Sequence, residues 1–162
     1  MDIIKIEPHH YPQIAVIYLQ GIATSNATFQ TEATNWEDWD KSHLQHSRLA
    51  AFVENEMAGW AALSPVSSRC VYGGVGEVSI YIADKFRGKG IGKLLFSQLI
   101  SESEKNNLWT LQSGIFPENI GSIKLHESCG FRKIGYRERI GKMNGVWRDN
   151  IIMERRSKTV GI

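Results

Sequence analysis

Cysteine and proline are scarce in this 162-residue chain, and neither sign of charge prevails. The two cysteines, Cys70 and Cys129, lie far apart and in no paired spacing, which excludes a disulfide framework and a paired-cysteine zinc or redox motif. Four prolines are too few for a Pro-rich linker, no stretch is Ser-rich, and no segment repeats at a solenoid period. The longest unbroken apolar run, Ile14 to Leu19, falls far short of the ~20 residues of a membrane-spanning helix. Lys plus Arg number 19 against 17 Asp plus Glu, a net +2, without the concentrated basic face of a nucleic-acid binder. Met1-Asp2-Ile3-Ile4-Lys5 lacks the charged-then-apolar layout of a secretory signal. The expectation is a cytoplasmic protein with two reduced thiols and neither a nucleic-acid nor a membrane partner.

What is present is globular. Hydrophobic residues at 42% and charged residues at 22% supply a core and exclude wholesale disorder. The length predicts one domain over residues 1–156, with a polar tail, 157–162, expected to be disordered. Ile3 to Ile6 reads as an opening strand, and Pro12 as the first turn of a helix burying Ile14, Ile17, Tyr18 and Ile22. Thr34 and Glu37 fit a capping box, predicting a helix from Asn35 to about His46. Leu49–Glu54 and Met57–Leu63 form a hairpin about the pair Asn55-Glu56. In the strand Val75 to Ile82, Val78, Ile80 and Ile82 make an apolar face, while Glu77, Ser79 and Tyr81 share the other. A helix carrying Ile91, Leu94, Leu95 and Leu99 follows, then a strand to Ile115, a helix from Ile120 closed by Gly130, and two strands about Met143-Asn144-Gly145. The order β-α-α-β-β-β-α-β-α-β-β predicts an α/β domain with a mixed central sheet flanked by helices.

Between a strand and a helix stands Arg87-Gly88-Lys89-Gly90-Ile91-Gly92. Its glycines let the backbone turn several N–H groups toward one point at the positive end of a helix, and Lys89 and Lys93 add cationic reach. That is a phosphate or pyrophosphate site. Walker A fails, because Arg87 stands where it needs Gly and Leu94 where it needs Ser or Thr. A dinucleotide fingerprint fails at Lys93. A glycine-rich turn that merely caps a helix is the bland alternative.

The segment Arg87-x-x-Gly90-x-Gly92 resembles the acetyl-CoA pyrophosphate motif of the GNAT N-acetyltransferases. Downstream, Asn119-x-x-Ser122-x-x-Leu125-His126-x-x-x-Gly130-Phe131 is similar to that family's second CoA-contacting helix and the strand after it. Over nearly the whole chain the resemblance is to the phosphinothricin, methionine sulfoximine and arsinothricin acetyltransferase branch. Its marks are Ala27-Thr28-Phe29, Glu77-Val78-Ser79-Ile80-Tyr81-Ile82, the Leu125-His126 pair and Gly145-Val146-Trp147-Arg148-Asp149.

The resemblance implies an acetyl-CoA-dependent enzyme acetylating the α-amino group of a small, glutamate-like acceptor, with no metal. It casts Glu77 as general base and His126 either as proton donor to the thiolate or as an orienting group. Acetyl-CoA is expected on Ile80, Tyr81, Ile82, Arg87, Gly88, Lys89, Gly90, Ile91, Gly92 and Lys93, with Asn119 and Ser122 along the pantetheine arm. A base working near neutral pH calls for a buried Glu77. Phe29 is expected as an apolar wall of the acceptor pocket, and Arg69 and Tyr72 as partners of its anionic head. Ser67 and Gly73 stand where phosphinothricin enzymes carry further arginines, which leaves room for a differently shaped acid. The resemblance also implies a homodimer through the final strands, with Trp147 and Arg148 in the contact. Alternatives are a protein or peptide N-acetyltransferase and a non-catalytic CoA-binding sensor. His43 and His46 share a predicted helix face but have no third ligand for zinc.

Overall fold

The computed structural model describes residues 1–162. Its elements follow the order read from the sequence: β1 (Asp2–Lys5), α1 (Tyr11–Ala23), α2 (Trp36–Ser42), β2 (Leu49–Val53), β3 (Glu56–Pro65), β4 (Val75–Ile82), α3 (Ile91–Lys105), β5 (Thr110–Ile115), α4 (Ile120–Ser128), β6 (Arg132–Met143) and β7 (Val146–Arg156). The strands make one sheet in the order β1-β2-β3-β4-β5-β7-β6, antiparallel except at β4–β5.

Local chemistry accounts for most boundaries. The β2–β3 turn is Glu54-Asn55, with φ of 50° and 65°, one residue earlier than the sequence suggests. The β6–β7 turn is Asn144-Gly145, at 50° and 79°. Both pairs adopt the left-handed geometry that matches the twist of a two-residue hairpin. Helix α2 departs further from expectation. Its cap is Asn35, whose side chain accepts from the Asp38 N–H at 2.8 Å, rather than Thr34. It stops at Ser42, four residues short of His46. The reason is Arg48, which is buried and donates to the carbonyls of Asp40, His43 and Leu44 while pairing with the Asp40 carboxylate. His43 and His46 therefore do not share a helix.

The alternation in β4 places its two faces as predicted. Tyr81 stacks on Trp60 of β3 at 5.0 Å, beneath Tyr18 of α1 and Trp39 of α2. Gly21 is what lets α1 come so close, since a Cβ there would lie 2.9 Å from the Tyr81 ring. On the other face Leu95, Phe96 and Leu99 of α3 are fully buried.

Strands β4 and β5 pair only from Val75–Glu77 to Thr110–Gln112. Beyond that they part: β4 continues to Ile82 against β3 alone, and β5 to Ile115 against β7 alone. The outward N–H and C=O groups along this wedge have no ladder partner, in the middle of the sheet. The tail is tied down rather than frayed. Ser157 is 5% exposed and its N–H donates to the Trp109 carbonyl at 2.8 Å. The Arg156 guanidinium donates to the carbonyls of Val160 and Gly161 at 2.8 and 2.6 Å.

Candidate active site

A cleft of about 1570 Å³ runs from the start of α3, along the wedge between β4 and β5, to the floor formed by β6 and β7. Three glycines shape its first end. Gly88 and Gly90 have φ of 73° and 78°, and Gly90 is the left-handed N-cap of α3. No side chain caps this helix and no acid occupies its first turn, so the first-turn N–H groups face the cleft unpartnered. Nothing lies within 4 Å of where a Cβ at Gly88 or Gly90 would sit. Arg87 and Lys93 line the cleft here. Lys89 does not; its ammonium lies 5.4 Å from the Phe86 ring. Open donors and a helix N-terminus thus stand beside Lys93 and beside Arg87, which pairs with Asp84 at 2.9 Å, an arrangement that favours an anion.

Along the wedge, Ile80, Tyr81 and Ile82 line the cleft. Burial between Trp60 and Tyr18 pushes the Tyr81 phenol far above its ordinary range, so it stays protonated. Glu77 marks the point where β4 and β5 part. It is exposed in the cleft rather than buried, and the Gln112 side chain donates to its carboxylate at 3.3 Å.

His126 is 2% exposed and holds two partners. Its Nδ1 lies 2.7 Å from the Ser122 carbonyl, which can only accept, so that nitrogen carries the hydrogen. Its Nε2 then accepts from the Ser113 hydroxyl at 2.8 Å. The rings of Phe96 and Phe131 stand edge-on at 4.8 and 5.1 Å. Burial lowers the imidazole pKa, against the smaller opposing pull of the Ser122 carbonyl, so the neutral ring is the resident form.

Asn119 and Ser122 both line the cleft, yet the Asn119 carboxamide is committed at both ends. Its oxygen accepts from the Ser122 N–H at 3.2 Å as the cap of α4, and its nitrogen donates to the Asn26 carbonyl at 3.1 Å. Phe29 also lines the cleft, packing on Phe116 at 4.7 Å and against Gly141.

Two predicted acceptor residues are not brought to the cleft. Arg69 and Tyr72 sit in an exposed turn before β4, the guanidinium 5.6 Å from the phenol ring, and neither lines the cavity. Arg148, expected at a subunit contact, instead turns inward. It donates to the Ser25 carbonyl and Asn26 Oδ1, both at 2.8 Å, pairs with Glu118 and lies over the Phe116 ring at 4.1 Å. The sequence reading missed Gln112, Ser113, Arg137 and Asn150, all of which line the cleft. Strand alternation puts Gln112 and Ser113 on opposite faces, but only the β4–β5 register sets Gln112 beside Glu77. No group of three or more His, Cys, Asp or Glu side chains is placed to hold a metal ion, and no helix is long and apolar enough to cross a membrane.

The model of the acetyltransferase (GNAT) family matches residues 15–131. A phosphinothricin N-acetyltransferase of Streptomyces coelicolor is 30% identical over 147 residues, 86% of this chain and 86% of its own. The crystal structure of a ribosomal-protein-alanine N-acetyltransferase from Brucella melitensis is 26% identical, with a TM-score of 0.90 over 97% of this chain and 100% of the other. A phosphinothricin acetyltransferase from Sinorhizobium meliloti, solved in complex with acetyl-CoA, shares the fold at a TM-score of 0.87, with 24% identity over 99% of this chain and 90% of its own. Sequence relatives, fold and cleft thus converge: the chain belongs to the GNAT acetyltransferase family and is an N-acetyltransferase.

Proposed function

We propose that this protein transfers the acetyl group of acetyl-CoA to the α-amino group of a small amino acid carrying a second anionic or polar head, as in phosphinothricin. The observation that carries the proposal is the continuity of the cleft from the glycine cradle through the open wedge to Glu77. The cradle suits the pyrophosphate, and the unladdered edge of β4 suits the amide-bearing pantetheine arm. The relatives named for phosphinothricin, one of them holding acetyl-CoA, support the same substrates.

On this proposal Glu77, held by Gln112, takes a proton from the acceptor's ammonium directly or through one water. The freed amine attacks the thioester carbonyl, whose developing oxyanion is met by unpaired N–H groups on the β4 edge. The new C–N bond forms, the C–S bond breaks, and the proton that the attacking nitrogen sheds balances the one taken up by the departing thiolate. His126, buried and neutral with its lone pair toward Ser113, acts as a positioning residue for the Ser113 hydroxyl rather than as an exposed donor. The same proposal pairs two copies across the outer strands, where Ile134, Tyr136, Val146 and Trp147 are exposed.

A peptide acceptor is the second reading, favoured by the name of the Brucella structure. Against it, Phe29 crosses from the α1–α2 segment to Phe116 and Gly141 and narrows the acceptor end. The deciding experiment is thiol release from acetyl-CoA across phosphinothricin, methionine sulfoximine, arsinothricin, glutamate, free amino acids, polyamines and peptides. Saturable turnover on glutamate-like acceptors is expected. Turnover on peptides alone would overturn the small acceptor while sparing the cosubstrate.

A further inference from the structure

We infer that Arg137, with Asn150 beside it, binds the anionic head of the acceptor. The inference rests on the proposed function and names the substrate class that function takes. Among the cleft's lining residues, the arginines and lysines are Arg87 and Lys93 at the glycine cradle and Arg137 on β6. With Arg69 facing away, Arg137 is the guanidinium left at the acceptor end.

It is also the free one. The other arginines of β6 and β7 are engaged: Arg132 with Glu154, Arg139 with Glu138, Arg148 with Glu118, Arg155 with Glu104, and Arg156 with backbone carbonyls. The Arg137 guanidinium has no ion pair or hydrogen bond within the chain, although carboxylates also line the cleft. Of these, Glu118 is taken by Arg148, Glu77 stands on β4 beside Gln112, Glu32 belongs to the α1–α2 segment and Asp38 to α2.

The backbone aims Arg137 deliberately. The β6–β7 register shifts between Arg137 and Gly141, and Arg139 within the bulge has φ of 48°. Asp149 holds that distortion, accepting from the Tyr136 hydroxyl and from the Arg139 N–H. Bulges re-aim side chains beside active sites, and here Arg137, Ile140 and Gly141 all reach the cleft. Asn150 pairs opposite Arg137 on β7, with its carboxamide against Gly114, and that carboxamide too has no hydrogen-bond partner in the chain. A forked guanidinium and an adjacent amide donor are the groups that recognise a carboxylate or phosphinate. Glu77 lies three strands away on β4 and four β7 residues back along the sheet, since the register sets it across from Arg132 through Gln112 and Glu154, a diagonal of about 20 Å between the two backbone positions. Both side chains line the cleft, and their reach into it shortens that gap. Ammonium at Glu77 and anion at Arg137 would orient one zwitterionic acceptor.

The test is steady-state kinetics of wild type, Arg137→Gln, Arg137→Lys and, as a charge control outside the cleft, Arg132→Gln. Acetyl-CoA is saturating, and the acceptors are an acidic-head amino acid (phosphinothricin or glutamate) and a neutral-head one (methionine sulfoximine). Arg137→Gln should raise KM for the acidic acceptor at least tenfold, leave KM for acetyl-CoA unchanged and move the neutral acceptor less than threefold. Arg137→Lys should fall between, keeping the charge and losing the fork, and Arg132→Gln should behave as wild type. Wild type acetylating the acidic acceptor with Arg137→Gln unaffected would overturn this inference alone, as would a wild type that uses only neutral heads. A wild type active only on peptides would overturn it together with the proposed function.

Discussion

Lowering the pH from 7.5 to 5.5 should loosen the fold through the buried ring of His126, and glutamine in its place should remove that component. The ring is 2% exposed, gives its Nδ1 hydrogen to the Ser122 carbonyl at 2.7 Å and takes one from Ser113 at 2.8 Å on Nε2. A second ring proton would face the hydroxyl hydrogen and two phenylalanine edges, with no carboxylate against it. Burial therefore depresses the folded pKa. As pH falls below about 6.5 the unfolded chain binds the proton and the folded chain does not. Stability from the neutral ring is complete above that pH and is lost on acidification at up to about 1.4 kcal/mol per unit. One unit of the 7.5-to-5.5 interval lies below 6.5, so the loss assignable to His126 is at most about 1.4 kcal/mol. His10, His43 and His46 are depressed by burial too, so wild type alone will lose more. Comparison with His126→Gln isolates one ring. The variant should be less stable at pH 7.5 by about 1–2 kcal/mol, having lost one of two buried hydrogen bonds. By pH 5.5 most of that gap should have closed. Urea unfolding of both proteins at the two pH values, at constant ionic strength, measures it. A gap of equal size at both pH values would refute the neutral, two-partner assignment.

Three further outcomes are expected. Glu77→Gln should lower kcat by about 10²–10⁴-fold with little change in KM for acetyl-CoA, as loss of a general base does; unchanged turnover would leave Glu77 without that role. Arg148→Ala should lower stability by about 2–3 kcal/mol, since it strips charged hydrogen bonds from Ser25 and Asn26 at a side chain only 12% exposed. Thermal melting reads the loss, and KM for the acceptor should rise with it as the loop bearing Phe29 loosens. Gly90→Ala should cost about 1–2 kcal/mol at a φ of 78° and raise KM for acetyl-CoA several-fold, because its methyl group enters the cradle; equal KM values would remove the pyrophosphate from that turn.

Much of the fold was legible because it is written in short-range chemistry. The alternation of β4 put Glu77 and Tyr81 on one face, and the glycines of residues 88–92 announced a turn that opens a helix with its donors bare. Where the sequence misled, a distant residue had intervened. The Thr34–Glu37 box and a helix to His46 are locally reasonable, yet Asn35 caps α2 and Arg48, reaching back from beyond it, gathers the carbonyls at its end. Asn119 looked like a free amide for pantetheine until Asn26, far away along the chain, proved to be its partner.

The sequence by itself determined the order of elements, the glycine cradle and the strand face that carries Glu77, because helix starts, turns and strand alternation depend on neighbours within a few residues. Tertiary structure decided what stands around that carboxylate. The three-residue pairing of β4 with β5 set Gln112 against Glu77 and opened the wedge. The β6 bulge brought Arg137 to the cleft while the turn at Arg69 and Tyr72 faced away. Strand register and loop direction are fixed by packing between segments tens of residues apart, and no local pattern encodes them.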